Sequence, residues 1–128
     1  MKLLVDTHVL FWWLSERAKL SPVALLTIAD RNNEIYVSVA SAWELAIKVG
    51  LGKWPEARHL IENFDAELLA ESFVLLPIWV AHARSAGFLP SPHKDPFDRL
   101  LVAQALAEGL VLVTSDAKML GLGAPLLW

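Results

Sequence analysis

The 128-residue chain contains no cysteine. It therefore has no disulfide framework and no thiolate chemistry. Long apolar runs are also absent: the longest, residues 73–81, has nine residues and includes Pro77, whereas a membrane-spanning helix needs roughly 18. Asp6 and His8 interrupt the apolar stretch that a signal peptide would need near the N-terminus. We therefore expect a cytoplasmic protein with no membrane partner.

A strong excess of basic charge is likewise missing, because 14 acidic residues outnumber 11 lysines and arginines and the net charge is −3. No basic field of the kind that attracts nucleic acids surrounds the molecule as a whole. This counts mildly against a nucleic-acid partner, although a local basic patch would not show in the sum.

The chain does have an apolar character, with 55% hydrophobic residues, a mean hydropathy of +0.45 and six tryptophans. Its length predicts a single domain over residues 1–128. A domain of this size cannot hide every apolar side chain, so either it offers apolar surface to a partner or its core is dense in tryptophan. The segment Val9–Leu14 (VLFWWL) poses the same choice. Phe11 or Trp12 meets a dimer mate or another protein, or the helix is over-rich in core residues.

Short apolar runs alternate with helical patterns, which predicts an α/β domain with a small parallel sheet flanked by helices. The predicted strands are Leu3–Val5, Ile35–Val39, Phe73–Leu76, Leu110–Val113 and an edge strand at Pro125–Trp128. The predicted helices are His8–Leu14, Ser21–Asp30, Ser41–Val49, one helix or a pair over Pro55–Ser72, Pro77–Ser85 and Asp95–Glu108. Continuously apolar strands are typical of parallel strands that are buried on both faces.

Four acidic residues are predicted at one edge of this sheet. In an open parallel sheet, ligands bind beyond the carboxyl ends of the strands. Asp6 follows the first strand, and Asp116 follows Leu110–Val113. Glu44 and Asp98 lie in the first turns of helices whose N-termini reach the same edge. Carboxylates from four distant places in the chain therefore arrive together.

Each acid also has an ordinary explanation as a helix cap. Asp6, Asp95 and Asp116 each precede a helical segment, where an acidic side chain is a good N-cap. Ser41 and Glu44 have the spacing of a capping box. A cap needs only an oxygen, however, and Ser, Thr or Asn would serve as well. The repeated use of acids weakens capping as the full explanation.

Acids massed in a cleft destabilise the fold unless a cation lies among them. No lysine or arginine is built into all four positions, so a divalent cation is the natural counterpart. Oxygen ligands suit Mg²⁺ or Mn²⁺. The four histidines are scattered without metal-ligand spacing and are interpreted as surface or core residues, with His93 near the mouth of the site.

Four segments, LLVDTH, ASAWELAIK, HKDPFDRLLVAQA and LVTSD, resemble in order the motifs of PIN-domain ribonucleases, most closely the VapC-type toxins of toxin–antitoxin pairs. The resemblance spans nearly the whole chain. It implies a PIN-like three-layer sandwich, an endoribonuclease that depends on Mg²⁺ or Mn²⁺, a homodimer, and an antitoxin that blocks the site. The family's small hydroxyl position falls on Thr114 or Ser115. The family's acidic positions correspond here to Asp6, Glu44, Asp98 and Asp116.

The chemistry of the residues agrees with this resemblance. A carboxylate-held metal ion can lower the pKa of water near neutral pH and neutralise charge on phosphoryl oxygens. Asp6 and Asp98 are assigned as the most direct ligands, with Glu44 and Asp116 as ligands or as acceptors for metal-bound water.

Several polar residues near these acids are candidates for supporting roles. Thr7, Asp95 and Ser115 are candidates for orienting the ligands, although helix capping explains them about as well. Arg99 either reaches a substrate phosphate or pairs with a nearby acid. Candidates for a rim that holds RNA are Lys48, Lys53, Arg84 and Lys94, although a solvated surface role fits most of them.

Three alternatives belong to other functional classes. A Mg²⁺-dependent phosphatase of the haloacid dehalogenase type needs a second acid two residues after Asp6, where this chain has His8. A phospho-receiver domain needs paired acids near the first strand and a lysine after a late strand, and neither is present. A catalytically silent PIN-fold module that binds RNA or protein would be indicated by loss of an acid, and all four are present. Transfer, ribosomal and messenger RNA all remain possible targets.

Overall fold

A computed structural model describes the whole chain, Met1–Trp128, as alternating strands and helices. The strands are β1 (Lys2–Val5), β2 (Glu34–Ser38), β3 (Val74–Leu76), β4 (Val111–Val113) and β5 (Leu126–Leu127). The helices are α1 (Thr7–Ser15), α2 (Pro22–Ala29), α3 (Val39–Gly50), α4 (Arg58–Glu62), α5 (Phe64–Glu71), α6 (Val80–Phe88) and α7 (Pro96–Glu108). Short 3₁₀ turns occupy Arg17–Lys19, Pro55–Ala57 and Ala117–Met119.

The five strands form one sheet in the order β3-β2-β1-β4-β5, and every neighbouring pair is parallel. In the central strand β1, Val5 pairs with Val37 of β2 on one side and with Val113 of β4 on the other. The predicted parallel sheet and its edge strand β5 are therefore confirmed. All the carboxyl ends lie at the same edge because the strands are parallel.

Both faces of the sheet are covered, which gives the predicted three layers. Side chains alternate along β1, so that Leu3 and Val5 pack with the larger core cluster beneath α1 to α5. Leu4 points the other way and packs with the smaller cluster beneath α7, and α6 packs against α7. This two-sided burial explains why the strands have no polar alternation.

Two helix starts differ from the predictions. Helix α3 begins at Val39, not Ser41, because Ser38 ends β2 and its hydroxyl accepts the Ala40 N–H at 2.9 Å. The predicted capping box of Ser41 and Glu44 is therefore wrong, and Glu44 lies in the second turn of α3.

Helix α6 begins at Val80, not Pro77. The carbonyl of Pro77 accepts a hydrogen bond from the Gln104 side chain at 3.1 Å, which holds this stretch extended. The backbone N–H of Trp79 then donates to Nδ1 of His82 at 3.1 Å and so closes the first turn of α6.

Most of the exposed apolar surface lies outside the VLFWWL segment. Of the two residues predicted to meet a partner or to belong to the core, Phe11 is buried in the core, whereas Trp12 is half-buried and keeps part of its surface open. Apolar side chains exposed by more than two thirds are Leu26, Leu69, Val80, Phe88 and Leu120. No helix combines the length and apolarity needed to cross a bilayer.

Candidate active site

The four predicted acids line one cleft of about 230 Å³ at the carboxyl edge of the sheet. Asp6 arrives at the end of β1, and Asp116 follows β4. Glu44 is presented by α3 and Asp98 by the first turn of α7. Asp95 and Thr7 also line the cleft. The fold therefore brings together the acidic residues that the sequence separates.

Asp6 is buried, with 9% of its surface exposed, and Glu44 is buried to a similar extent. One carboxylate oxygen caps α1 by accepting the Val9 N–H at 2.8 Å. The other accepts the hydroxyl hydrogen of Thr114. Burial raises the pKa of Asp6 to about 6, and the negative charges of Asp98 and Glu44 add smaller upward contributions. The side chain is thus both a cap and a carboxylate held in a poorly solvated place.

Asp98 is held between an acid and a histidine at the start of α7. Its backbone N–H donates to the capping carboxylate of Asp95 at 3.2 Å, and its own carboxylate shares a 2.8 Å hydrogen bond with Nε2 of His93. Burial raises the pKa of Asp98, the hydrogen bond from His93 lowers it, and the charge of Asp95 raises it. The predicted cap at Asp95 is confirmed, and Asp98 is left directed into the cleft.

Glu44 and Asp116 complete the set on either side. Glu44 is bound to Lys48, one turn along α3, with 2.7 Å between Oε2 and Nζ. Asp116 is exposed and caps the Ala117–Met119 turn by accepting the Lys118 N–H at 2.9 Å. Each of the four carboxylates therefore already has a hydrogen-bond partner within the chain.

The hydroxyl residues near the site have distinct positions. Thr114 is buried and bonded to Asp6, so it is the hydroxyl that meets an acid, while Ser115 is exposed at the cleft. Thr7 donates to the hydroxyl of Ser41 at 2.9 Å and makes no hydrogen bond with an acid. The hydroxyl of Thr7 therefore joins α1 to α3, and this contact holds Thr7 in the wall of the cleft.

Arg99 does not face the cleft in either of the ways predicted. Its guanidinium donates to five backbone carbonyls, those of Ala86, Gly87, Leu89, Ser91 and His93, at 2.8–3.3 Å. It makes no ion pair with an acid. The planar fork of five N–H groups suits this arrangement, which ties the loop between α6 and α7 to the start of α7.

The sequence patterns did not place two neighbours of the acids, Lys48 and His8, in the cleft. Lys48 lines the cleft rather than an outer rim, and its spacing of four residues from Glu44 is the signal that could have found it. His8 also lines the cleft, and no spacing pointed to it. Partial burial of the ring and the charge of Lys48 lower the pKa of His8. The other rim candidates, Lys53, Arg84 and Lys94, are exposed and do not line the cleft.

The comparisons with known proteins agree with this fold. A family model described as the PIN domain matches residues 3–123, so the chain belongs to the PIN domain family. The chain is 34% identical over 122 residues to ribonuclease VapC22 of Mycobacterium tuberculosis, which covers 91% of this chain and 88% of that protein.

Two solved structures share the fold over nearly their whole length. VapBC2 from Rickettsia felis, bound to a DNA fragment from its promoter, has a TM-score of 0.72 at 19% identity and covers 99% of this chain and 98% of that one. FitAcB from Neisseria gonorrhoeae has a TM-score of 0.67 at 21% identity, with coverage of 100% and 97%. At these identities the likeness establishes the three-layer fold.

Proposed function

We propose that this chain is a Mg²⁺- or Mn²⁺-dependent endoribonuclease that acts in the cytoplasm as the toxin of a toxin–antitoxin pair. The observation that carries the proposal is the convergence of four carboxylates from distant parts of the chain on one cleft. The similarity to ribonuclease VapC22 supports RNA as the substrate class.

The donor set of the cleft fits a hard divalent cation. Its charged donors are carboxylate oxygens, which Mg²⁺ and Mn²⁺ prefer. The raised pKa values of Asp6 and Asp98 reflect burial among like charges, and a cation offsets that cost. As arranged, no three acidic or histidine side chains lie close enough to hold one ion. To be held by these residues, a cation would have to displace Lys48 from Glu44 and His93 from Asp98.

We assign Asp6 and Asp98 as the residues that hold the ion most directly, with Glu44 and Asp116 as further ligands or as acceptors for water. The bound ion supplies a lowered pKa for water and neutralises charge on the phosphate that is cleaved. Thr114 orients Asp6 through its hydroxyl. Asp95 supports Asp98 by capping the same helix. Thr7 and Ser115 shape the wall of the cleft.

An antitoxin and a second copy of this chain are the proposed protein partners. The solved relatives of similar fold include VapBC2 and a toxin–antitoxin complex from Klebsiella pneumoniae, which support a protein antitoxin. Exposed apolar side chains such as Leu26 and Phe88 give such partners surface to cover. A homodimer would have twice the 14.2 kDa mass of one chain by light scattering.

Cleavage of RNA by the purified protein tests the enzymatic proposal. Single-stranded and structured RNAs should be cut with Mg²⁺ or Mn²⁺ and left intact with EDTA. Asp6→Asn and Asp98→Asn should each abolish cleavage while the far-ultraviolet circular dichroism stays unchanged. Asp65→Asn, an exposed acid on α5, is the matched control and should cleave normally. Undiminished cleavage by Asp98→Asn would remove Asp98 from the site.

The toxin proposal has a separate test. Expression of the chain alone should stop the growth of a bacterial host, and expression of Asp98→Asn should not. Co-expression with the product of a small neighbouring open reading frame should restore growth and yield a stable complex. Cleavage of RNA in vitro without any effect on growth would leave a nuclease that is not a toxin.

A further inference from the structure

A second cavity adjoins the acid cleft and is lined largely by aromatic rings. It measures about 310 Å³, and His8 and Trp12 line both it and the acid cleft. Phe11 and Trp54 supply its other rings. The two cavities therefore meet along His8, only two residues from Asp6.

The rings of this aromatic cavity are held in a fixed arrangement by one another. His8 stacks on Trp54 with ring centroids 4.6 Å apart and an interplanar angle of 21°. Phe11 meets the same indole edge-on at 5.0 Å, and Trp12 lies 5.8 Å from His8 at 54°. A flat ligand would meet these rings already ordered, which keeps the entropic cost of binding low.

The exposure of the rings suits binding better than packing alone. Phe11 is buried, but Trp12 and Trp54 are only half-buried and His8 is exposed. Rings that served the core alone would be covered, as Phe11 is. Here the buried ring supports Trp54 from one side and leaves aromatic surface open to the cavity.

One lysine, Lys19, and two acids, Glu16 and Glu56, complete the lining of the aromatic cavity. Lys48 lines the adjoining acid cleft rather than this cavity, but its Nζ lies 5.8 Å from the centroid of the Trp54 ring. The Nζ of Lys19 is paired with Oε2 of Glu16 at 2.6 Å, so the lining of this cavity has no excess of positive charge. Single-stranded nucleic acids bind by stacking bases on aromatic rings while their phosphates meet cations. Here the rings offer a surface for the base, and Lys48 of the adjoining cleft is the cation near them.

We infer that this aromatic cavity binds one nucleobase of the single-stranded RNA substrate, next to the phosphate that lies in the acid cleft. The inference rests on the proposed function, because it takes RNA as the substrate. It adds a binding subsite in which the base stacks on the aromatic surface that the His8–Trp54 pair leaves open to the cavity. The contact is with the face of the base, so it favours purines over pyrimidines without reading a particular sequence.

Binding of oligonucleotides, measured separately from cleavage, tests the inference. Fluorescein-labelled single-stranded octamers of adenylate and of uridylate are compared with an abasic octamer of the same phosphate count, by fluorescence anisotropy in Mg²⁺. Every protein carries Asp98→Asn, so that the RNA is not consumed during the titration. The measured quantity is the ratio of the Kd for the abasic octamer to the Kd for oligoadenylate.

Trp54→Ala should lower this ratio by a factor of about 5 to 150, which is the range expected for the loss of one base–aromatic stack. Trp54→Phe should restore much of it, because a smaller aromatic face remains. Trp79→Ala removes an exposed tryptophan outside both cavities and should leave the ratio unchanged. His8→Ala, which removes a more exposed ring, tests the same subsite if Trp54→Ala is poorly folded.

The result that overturns the inference is a ratio unaffected by both Trp54→Ala and His8→Ala in folded protein. Such a result, alongside normal RNA cleavage by the wild-type chain, would leave the proposed function standing and assign the cavity to a protein partner. If the Kd ratio depends on Trp54 but the wild-type chain cleaves no RNA, the base-binding subsite would be supported and the proposed nuclease activity contradicted.

Discussion

The hydroxyl of Thr114 donates a hydrogen bond to the carboxylate of Asp6, and 108 residues separate the two in the sequence. The bond joins the carboxyl ends of β1 and β4, which are neighbours in the sheet. The same hydroxyl accepts the backbone N–H of Asp116 at 3.1 Å. One buried side chain thus links two of the four acids and fixes where Asp6 points.

Replacement of Thr114 by valine should show how much this bond contributes. Valine keeps the shape of threonine but leaves a buried carboxylate without its donor, so the pKa of Asp6 should rise further. The free energy of unfolding at pH 7 should fall by about 1–3 kcal/mol. Urea denaturation measures the stability and ¹³C NMR of the carboxyl group measures the pKa. Thr114→Ser retains the hydroxyl and should stay near wild type, and a normal pKa in Thr114→Val would contradict the role of the bond.

The stability of the metal-free protein should depend on pH through Asp6. Its pKa is about 6 in the fold against an ordinary value of 3.8, so between these values the folded state binds more protons than the unfolded state. The stability contributed by the protonated group is therefore fully present below pH 3.8 and is lost as pH rises through about 6. The full change corresponds to about 3 kcal/mol.

Asp6→Asn isolates this contribution from the other titrating groups. Its free energy of unfolding, subtracted from that of the wild type across pH 4–8, should show the wild type losing stability relative to the variant as pH rises. Added Mg²⁺ should restore stability to the wild type at pH 7.5 and have less effect on the variant, since a cation binds the folded state only. A flat difference across this range would contradict the raised pKa.

The main features of the fold and the acid cleft could be predicted from the sequence because they depend on short-range patterns. Continuous apolar runs predict parallel strands, and strand ends followed by acids predict where Asp6 and Asp116 meet. The Asp95-Pro96 pair predicts the start of α7, since proline favours the first helical position. These patterns need no knowledge of what packs against them.

The features that were missed depend on contacts between distant residues. Val39 resembles a strand residue, and only the hydroxyl of Ser38 at the sheet edge shows that α3 has already begun. The role of Arg99 depends on five carbonyls that a loop brings around it. The stack of His8 on Trp54 spans 46 residues and leaves no periodicity along the chain.

Arg99→Lys should loosen the loop between α6 and α7, because an ammonium group has three donors in place of a planar fork of five. Several carbonyls of residues 86–93 would then lose their partner, and the free energy of unfolding should fall by about 2 kcal/mol or more. Amide hydrogen exchange in residues 86–95 should speed up. This loop positions His93 for its hydrogen bond with Asp98. Arg99→Lys should therefore lower the rate constant of RNA cleavage more than it weakens RNA binding.

The matched control for this change is Arg84→Lys, an exposed arginine on α6 that should alter neither stability nor exchange. The alternative role for Arg99, a direct contact with the substrate phosphate, predicts a different pattern. Arg99→Lys would then keep wild-type stability and hydrogen exchange while losing RNA affinity, because lysine replaces the charge but not the paired donors. The five hydrogen bonds to carbonyls leave the guanidinium no N–H group for a phosphate. Arg99→Lys should therefore loosen the loop, and RNA cleavage should weaken only as a consequence of that loosening.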